Sequence, residues 1–446
     1  MHKSIHSCHC TKRTHMTLIA FLIFASLLSN SPSYGEEPSP ILVRIVPTND
    51  NNGIFKATQP ITLDVHLENR KYKEFEILIT CSLTTDEDNF VYSMSEKHII
   101  TPRSKFIRKF RFKVKVPGFY KVIVKCAWEE GITNQTMQLG YDPESVRPPL
   151  TKGPDFESFW KESLTALRQV DPQFELIHSP EKSSPSLKVY EVKMRSFGGT
   201  RIRGWYEVPN KEGPFPAALR LPGYGQNMRP VGIFKDIALL SLNPRGHGNS
   251  QEDIKAVPKN YWIRGLDDKE LYYYRGAYMD CVRGIDFICS REEINKKKIA
   301  VFGGSQGGGL SFATAALDQR VSLCAPVVPF LANWKKYFKT SDWPEMNEWI
   351  ESKEERTWEK TLETLSYFDS MNLATRIQCP VFMGVGLQDP VCPPVTNFAA
   401  LNHTKGQKKI SGLRAGQSFT RAHSPGTGPR LDQGKFQALR EIQLFL

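Results

Sequence analysis

The chain has 446 residues, of which 40% are hydrophobic and 24% are charged, with 59 Lys and Arg against 47 Asp and Glu. These fractions are typical of globular proteins and exclude a disordered chain, a collagen-like fibre and a polytopic membrane protein. The formal charge of +12 is not concentrated in any run of five or more Lys or Arg. We therefore expect a basic surface and no nucleic-acid partner, because a polyanion binder usually gathers its charge in a stripe or block.

Residues 1–35 have the pattern of an export signal. Three basic residues precede an apolar stretch at 17–28, which is shorter than the ~20 residues that a transmembrane helix needs. Small residues follow, and cleavage is expected near Ser33 or Gly35. We predict a secreted or cell-envelope protein. The alternative is an uncleaved anchor, which would be the only means of membrane attachment.

Seven cysteines follow this segment, an odd number whose spacing fits neither a disulfide framework nor a zinc site. Cys81 and Cys126 both lie in strand-like segments, so a disulfide between them is an expectation for an oxidising compartment. The other five lie in or beside apolar segments, where free cysteine packs as a small hydrophobe. These predicted core residues are Cys281, Cys289, Cys324, Cys379 and Cys392.

Residues 38–142 have the pattern of an all-β region. Five segments alternate apolar and polar residues with a period of two, and turn-rich pieces separate them. We predict an immunoglobulin-like β-sandwich that contains no active site. Its role stays open between spacer, lid, oligomer contact and carbohydrate contact. The predicted strands begin at Ile41, Ile61, Phe75, Phe106 and Phe119.

The remainder predicts a linker and then an α/β unit. The segment 143–155 holds four prolines, which stiffen a linker and interrupt regular pairing. Over 156–446, short apolar runs that end in Gly-rich or polar turns alternate with helix-like segments. This order predicts a mostly parallel sheet covered on both faces, with an antiparallel pair at 187–197 and 202–209. In such sheets the working residues lie on loops at the carboxyl ends of the strands.

A G-x-S-x-G sequence from Gly303 to Gly307 follows one predicted strand and precedes a helix of small residues. This is the context of a nucleophile elbow, in which a serine is held at a tight strand-to-helix turn. Ser305 is the predicted nucleophile. The backbone N–H of Gln306 would then face the carbonyl oxygen under attack, and the helix dipole would favour the developing negative charge. The alternative is a Gly-rich turn with an idle serine.

A serine hydroxyl needs a base, and in this fold class the acid and the histidine follow the serine in the chain. Asp389 stands just past a predicted strand and is the predicted acid, with an Asp-Pro turn residue as the alternative. Asp342 and Asp369 compete without a preceding strand. Of the two histidines that follow, His403 lies in a predicted helix. We therefore favour His423, which lies in a loop, and the alternative is that neither serves.

The second oxyanion donor is expected from the loop after an earlier strand. The sequence Leu221-Pro-Gly-Tyr-Gly225 fits this position, with the backbone N–H of Tyr224 as the donor and its ring as a wall of the acyl pocket. Arg245 lies in the loop after the next strand. We interpret it as a structural arginine that pins loops by hydrogen bonds, with substrate contact as the alternative.

Several of these motifs together resemble the acetyl xylan esterase/cephalosporin C deacetylase family of carbohydrate esterases. The resemblance runs from about Asp155 to Lys409. It implies an α/β-hydrolase that removes acetyl groups from sugars and small esters, often as hexamers, so a homo-oligomer is allowed. Its serine falls on Ser305, its acid on Asp389, and its oxyanion donors on Tyr224 and Gln306. The motifs are LPGYGQ, NPRGHGNS, YYYRGAYMDCVRGIDFICSRE, IAVFGGSQGGGL and GLQDPVCPP.

The chain departs from the family pattern at three places. The family has Arg-Gly-Gln where this chain has Arg245-Gly246-His247, and its compact members lack the early β-sandwich. The family histidine follows Ala-Gly, whereas here Ala415-Gly416 is followed by Gln417. Either His423 has taken over the role of base or the triad is incomplete.

We predict a carboxylic ester hydrolase, an exported serine esterase that removes acetyl groups from acetylated sugars or xylan fragments through an acetyl-serine intermediate. No metal or organic cofactor is implied. One alternative is a catalytically impaired hydrolase-fold protein that binds carbohydrate or serves in assembly. A second is a peptidase of the prolyl-oligopeptidase type, although the β region is too short for a propeller.

Overall fold

The computed structural model describes residues 39–49, 53–251, 260–341 and 343–411. Within these ranges the chain forms an N-terminal β-sandwich and then a region in which strands and helices alternate. The predicted signal peptide, Gln417 and His423 lie outside the described residues. No helix in the described part of the chain is long and apolar enough to cross a membrane.

The sandwich is formed by two sheets whose inner faces share one apolar core. Its strands are β1 (Ile41–Pro47), β2 (Ile54–Phe55), β3 (Ile61–Asn69), β4 (Phe75–Thr85), β5 (Phe90–Ile100), β6 (Lys105–Phe112), β7 (Gly118–Trp128) and β8 (Gly131–Tyr141). One sheet has the order β1-β3-β6 and the other the order β2-β8-β7-β4-β5. Alternate residues of β3 and β4 are buried, because successive side chains of a strand point to opposite faces.

Cys81 and Cys126 are free and buried in the sandwich core, so the expected disulfide is wrong. The strand register explains this result, because Cys81 lies opposite Val124 and Cys126 lies opposite Ile79. Both thiols pack as small hydrophobes. The later cysteines are buried or half-buried free thiols, as predicted, namely Cys281, Cys289, Cys324, Cys379 and Cys392.

The predicted linker lies fixed against the second region. Asn402 Nδ2 donates to the carbonyl oxygens of Pro143 and Val146 at 2.8 Å each, and His403 Nε2 lies 2.8 Å from the carbonyl oxygen of Pro148. His403 is therefore occupied in packing the linker, which agrees with its predicted place in a helix away from the chemistry.

The second region is built on a mixed sheet. Its described strands are β9 (Glu175–His178), β10 (Leu187–Arg195), β11 (Arg201–Pro209), β12 (Phe215–Leu221), β13 (Ala238–Asn243), β14 (Ile294–Gly304), β15 (Leu323–Val327), β16 (Val381–Gly384) and β17 (Lys408–Ser411). They follow the order β17-β16-β15-β14-β12-β13-β11-β10-β9. The strands from β12 onward are parallel, and β10 and β11 form the predicted antiparallel pair.

Helices cover this sheet. Those that the structure describes are α1 (Phe156–Arg168), α2 (Tyr273–Ser290), α3 (Gln306–Leu317), α4 (Trp334–Thr340), α5 (Pro344–Glu351), α6 (Trp358–Ser366), α7 (Ser370–Ala374) and α8 (Pro394–His403). Helix α3 packs on β12, β14 and β15, and α2 packs on β12, β13 and β14. This is the arrangement of an α/β-hydrolase, preceded here by the immunoglobulin-like sandwich.

The parallel register brings the ends of four strands to one edge of the sheet. Leu221 of β12 lies opposite Gly303 of β14, and Gly304 lies opposite Val327 of β15. Val327 in turn lies opposite Gly384 of β16. The loops after these strands therefore begin side by side, which is where a parallel sheet places its working residues.

Candidate active site

Ser305 lies at a sharp turn between β14 and α3. Its backbone has φ 56° and ψ −119°, a region that costs a non-glycine residue conformational energy and that persists only when neighbours enforce it. The Ser305 N–H donates to the carbonyl oxygen of Val327 at 3.0 Å, and its own carbonyl oxygen accepts from Gly308 at 2.9 Å and Phe330 at 3.0 Å. The turn is thus the predicted elbow, with the serine held in a strained backbone.

The glycines of the elbow are required by close packing against β12. A Cβ added at Gly307 would lie 2.4 Å from the carbonyl oxygen of Leu221, and one at Gly303 would lie 2.6 Å from the same atom. Both distances are far below van der Waals contact. The two glycines therefore let the start of α3 lie directly over the end of β12, next to the loop that carries Tyr224.

Gln306 is buried at the first position of α3, and its side chain is fixed at both ends. Its Oε1 accepts from the Tyr274 hydroxyl at 2.8 Å, and its Nε2 lies 3.0 Å from His247 Nε2. The N–H groups of a first helical turn lack intrahelical partners and carry partial positive charge. The anchored side chain keeps this backbone in place at the elbow.

The loop after β12 is anchored from the opposite side. The Gly225 N–H donates to the Tyr261 hydroxyl oxygen at 2.6 Å, and the Gly223 N–H donates to Gln226 Oε1 at 3.0 Å. The Tyr224 ring lies 4.4 Å from the Tyr261 ring, centroid to centroid, and 36% of Tyr224 is exposed. The loop thus presents a fixed backbone and a partly exposed aromatic wall.

His247 connects the side chains that anchor Gln306 with those that anchor the Tyr224 loop. In the sequence it was noted only as a departure from the family pattern. Its Nε2 lies 2.8 Å from the Tyr261 hydroxyl and 3.0 Å from Gln306 Nε2. An amide nitrogen can only donate, so this ring nitrogen accepts and the proton lies on Nδ1, which is 3.3 Å from the Tyr273 hydroxyl. Burial lowers the pKa of His247 to about 4. The ring is therefore neutral, and it contacts both the Gln306 side chain and the Tyr261 hydroxyl that holds the Tyr224 loop.

The buried, neutral His247 predicts a pH dependence of stability. The unfolded chain binds a proton at this side chain with a pKa near 6.5, whereas the folded chain does so only near pH 4, so stability falls as pH falls through this window. Between pH 7 and pH 4 the free energy of unfolding is expected to fall by about 3 kcal/mol more in the wild type than in His247→Gln. Urea unfolding at several pH values measures this difference, and parallel curves for the two proteins would contradict it.

Asp389 lies in the loop after β16 and is buried. Its Oδ1 accepts from the backbone N–H groups of Val391 and Cys392 at 2.9 Å each. Burial raises the pKa of this carboxyl, and the two hydrogen bonds oppose that shift. The Cys392 Sγ lies 3.8 Å from Ser305 Oγ, so the loop that carries Asp389 touches the predicted nucleophile.

Asp369, a competitor for the role of acid, has a structural position. It accepts from the backbone N–H groups of Asn333, Trp334 and Met371 at 2.7, 3.1 and 2.8 Å. Burial raises its pKa to about 6. Asp369 therefore caps the starts of α4 and α7. Asp342, the other competitor, is not among the described residues.

Arg245 holds two loops together by hydrogen bonds, as predicted from the sequence. Its Nε and Nη2 donate to the two carboxylate oxygens of Asp280 at 2.8 Å each, and Nη2 also donates to the carbonyl oxygen of Phe197 at 2.9 Å. A Cβ added at Gly276 would lie 2.2 Å from Arg245 Nη1. The glycine of the YYYRG segment is thus explained by the close approach of this guanidinium group.

The structure brings four of the five predicted site residues, Ser305, Gln306, Tyr224 and Asp389, to the same edge of the sheet. The fifth, His423, lies beyond the residues that the structure describes. Among those described, no group of three or more His, Cys, Asp or Glu side chains could hold a metal ion. A strained serine beside a helix N-terminus, with a buried carboxylate one loop away, is an arrangement suited to acyl transfer.

Comparison with known proteins agrees with this geometry. A family model described as acetyl xylan esterase matches residues 141–420. The acetyl esterase Axe7A of Xylanibacter ruminicola is 31% identical over 306 residues, which are 65% of this chain and 68% of that protein. The acetyl xylan esterase from Paenibacillus sp. R4 superposes with a TM-score of 0.60 at 33% identity, over 68% of this chain and 98% of that one. Acetyl xylan esterase 1 from Thermoanaerobacterium sp. JW/SL YS485 gives 0.59 at 28% identity with the same coverage.

The family model covers more than half of the chain and includes every loop of the site described above. Both solved esterases are matched over nearly their whole length. The protein is therefore a carboxylic ester hydrolase that belongs to the acetyl xylan esterase family.

Proposed function

We propose that the protein is an exported deacetylase that removes acetyl groups from acetylated sugars or xylan fragments through an acetyl-serine intermediate. The observation that supports the serine mechanism most strongly is the backbone of Ser305, held at φ 56° at the start of α3. Such strain serves a purpose when it exposes a nucleophile to substrate. The membership of the acetyl xylan esterase family supports acetyl as the acyl group.

In the proposed mechanism, Ser305 Oγ attacks the acetyl carbonyl carbon while His423 takes the hydroxyl proton. The backbone N–H groups of Tyr224 and Gln306 donate to the oxyanion, and Asp389 orients the imidazole and stabilises its cation. Collapse of the tetrahedral intermediate transfers the proton to the sugar oxygen and releases the deacetylated alcohol. Water activated by the same imidazole then hydrolyses the acetyl-enzyme to acetate.

The side chains around the two donors support this assignment of the oxyanion site. The Gln306 side chain is held by Tyr274 and His247, and the Tyr224 loop is held through Tyr261. Donors that are fixed before the reaction cost no reorganisation when charge develops on the substrate oxygen. The Asp389 carboxylate also supports the assignment. Its Oδ1 accepts from the loop backbone, which leaves Oδ2 to accept from the imidazole.

A fluorophosphonate probe tests whether the serine is activated. We expect the native protein to be labelled on the peptide that contains Ser305, because only a serine with a lowered barrier to nucleophilic attack reacts with such a probe. Heat-denatured protein is the control and is expected to stay unlabelled. An unlabelled native protein that also releases no acetate from acetylated xylan would favour the alternative, a hydrolase-fold protein without catalysis.

A further inference from the structure

The β-sandwich contacts the loop that carries Asp389 through one side-chain amide. Gln388 Oε1 accepts from the backbone N–H of Gln138 at 2.8 Å, and Gln388 Nε2 donates to the Gln138 carbonyl oxygen at 2.8 Å. Gln138 belongs to β8, and 250 positions separate it from Gln388 in the chain. A primary amide carries the same donor and acceptor as a peptide group, so this side chain pairs with β8 as a strand would.

The amide continues the pairing of β2 along the same edge of β8. Strand β2 pairs with Gly140 and Tyr141, and the Gly140 N–H donates to the carbonyl oxygen of Gly53 at 3.0 Å. Residues two apart in a strand point their N–H groups to the same side, so Gln138 faces the edge that β2 leaves uncovered. Gln388 satisfies the two ladder groups there, which would otherwise need water or another partner.

The residue before Gln388 is buried in the hydrolase core and lies close to Gly53 of the sandwich. Leu387 is fully buried, and a Cβ added at Gly53 would lie 3.5 Å from Leu387 Cδ1 and 3.1 Å from Leu139 Cδ2. Gln388 therefore contacts the sandwich directly, and Leu387 before it is fixed in the hydrolase core. On the other side of Asp389, its Oδ1 accepts from the N–H groups of Val391 and Cys392.

Further contacts join the sandwich to the hydrolase region without passing through this amide. Lys336 of α4 donates to Asp86 Oδ1 at 2.8 Å and to Glu87 Oε1 at 2.5 Å. The Phe119 ring lies 5.4 Å from the Phe398 ring of α8, centroid to centroid. The two regions are thus docked by two ion pairs and an aromatic contact, which leaves the Gln388 amide available for a role beyond docking.

The contact joins a residue inside the range that matches the family model to a residue outside that range. The family match begins at residue 141, so Gln388 lies within it and Gln138 lies before it. We propose that Gln388 is a positioning residue, whose amide uses β8 to hold Asp389 in line with the catalytic imidazole. This inference rests on the proposed function, because it needs Asp389 to act as the acid of the triad.

The test compares Gln388→Met with Gln138→Ala in the full-length protein. The methionine keeps the volume of the side chain but removes both hydrogen bonds, whereas Gln138→Ala keeps them because Gln138 uses its backbone. For Gln388→Met we expect kcat for p-nitrophenyl acetate to fall roughly tenfold with KM changed less than about twofold, which is typical when support around an active group is lost. Gln138→Ala should keep the wild-type kcat.

The pH profile separates positioning from a merely structural role. A carboxylate close to an imidazole raises its pKa, so a loosened Asp389 is expected to move the acid limb of kcat/KM to lower pH, by about half a unit. Lys336→Ala is the structural control, because it removes the ion pairs and is expected to lower Tm without moving that limb. If Gln388→Met does not fold, Gln388→Ala is tested in its place, because the smaller side chain lets water hydrogen-bond to the Gln138 backbone.

Three results would overturn the inference. They are full kcat in Gln388→Met, with or without a lower Tm, a loss of its kcat with no shift of the acid limb, or an equal loss of kcat in Gln138→Ala. In each of these cases Ser305→Ala would still be inactive, so the serine mechanism would stand. Wild-type turnover in Ser305→Ala would instead show that the proposed function itself is wrong, and the inference would be overturned with it.

Discussion

Ser305→Ala is expected to lower kcat for p-nitrophenyl acetate by about 10⁶-fold, because removing the nucleophile of a serine triad costs about as much as removing the whole triad. The Ser305 side chain is not needed for folding, since its anchoring bonds to Val327, Gly308 and Phe330 are all made by the backbone. The variant should therefore keep the Tm of the wild type. Initial rates at saturating ester, corrected for buffer hydrolysis, measure the effect.

A matched control for this variant is Ser341→Ala. Ser341 Oγ donates to the carbonyl oxygen of Pro390 at 3.1 Å, so it is a hydroxyl near the acid loop that the mechanism does not use. Its loss is expected to change kcat less than about threefold, because one exposed hydrogen bond contributes about 1 kcal/mol or less. Comparable turnover by Ser305→Ala and the wild type would exclude the acetyl-serine mechanism.

The elbow could be predicted from sequence because its constraints are local. A strand, a small turn and a helix follow one another from Ile294 to Leu317, and the glycines stand where the backbone must approach Leu221. The position of Asp389 in a loop was predictable for a similar reason, since it closely follows the buried strand β16. Short-range patterns of this kind leave little choice of structure.

The sequence did not predict β2, β5 and β8 of the sandwich, and β2 is only two residues long. Most of β5 is exposed or half-buried along its length, because it is the edge strand of its sheet. Strand β8 is exposed or half-buried from Gly131 to Thr136 and buried mainly at its end. Alternation of apolar and polar residues appears only where one face of a strand meets a core, so β5 and β8 lack the signal that identified the five predicted strands.

The role of His247 and the contact of Gln388 with Gln138 could not be predicted either. Each depends on residues brought together by the tertiary fold, 59 positions apart for His247 and Gln306 and 250 positions apart for Gln138 and Gln388. The sequence around a single histidine or glutamine does not show which distant residue that side chain will contact. Only the packing of separate elements shows that these polar groups are buried and must be satisfied.

These contacts explain how a departure from the family pattern can leave the site intact. His247 stands where the resemblance implies glutamine, and its neutral ring accepts a hydrogen bond from Gln306 and contacts the Tyr261 hydroxyl. The backbones of Gln306 and of the Tyr224 loop, which are the proposed oxyanion donors, are thus supported although the residue differs. The departure at Gln417 concerns the proposed catalytic base, which no supporting contact can replace.

His423→Ala is therefore expected to abolish turnover almost as fully as Ser305→Ala, with a loss of kcat of about 10⁶-fold, because a serine without its base is a weak nucleophile. Gln417→His, which restores the Ala-Gly-His sequence that the resemblance implies, is expected to change kcat little, since His423 is the proposed base. Initial rates with p-nitrophenyl acetate and labelling by the fluorophosphonate probe measure both effects. His403→Ala is the control, because His403 binds the Pro148 carbonyl oxygen and should affect stability but not the chemical step.

The double variant His423→Ala/Gln417→His tests whether a histidine at position 417 can serve as the base when His423 is absent. Activity recovered by the double variant would show that a histidine at 417 can reach Ser305 and Asp389, and that His423 normally replaces it from further along the chain. Full activity in His423→Ala would remove His423 from the mechanism. A large gain from Gln417→His alone would mean that the wild-type triad lacks its base, because a histidine can raise kcat by several orders of magnitude only where none already serves the serine.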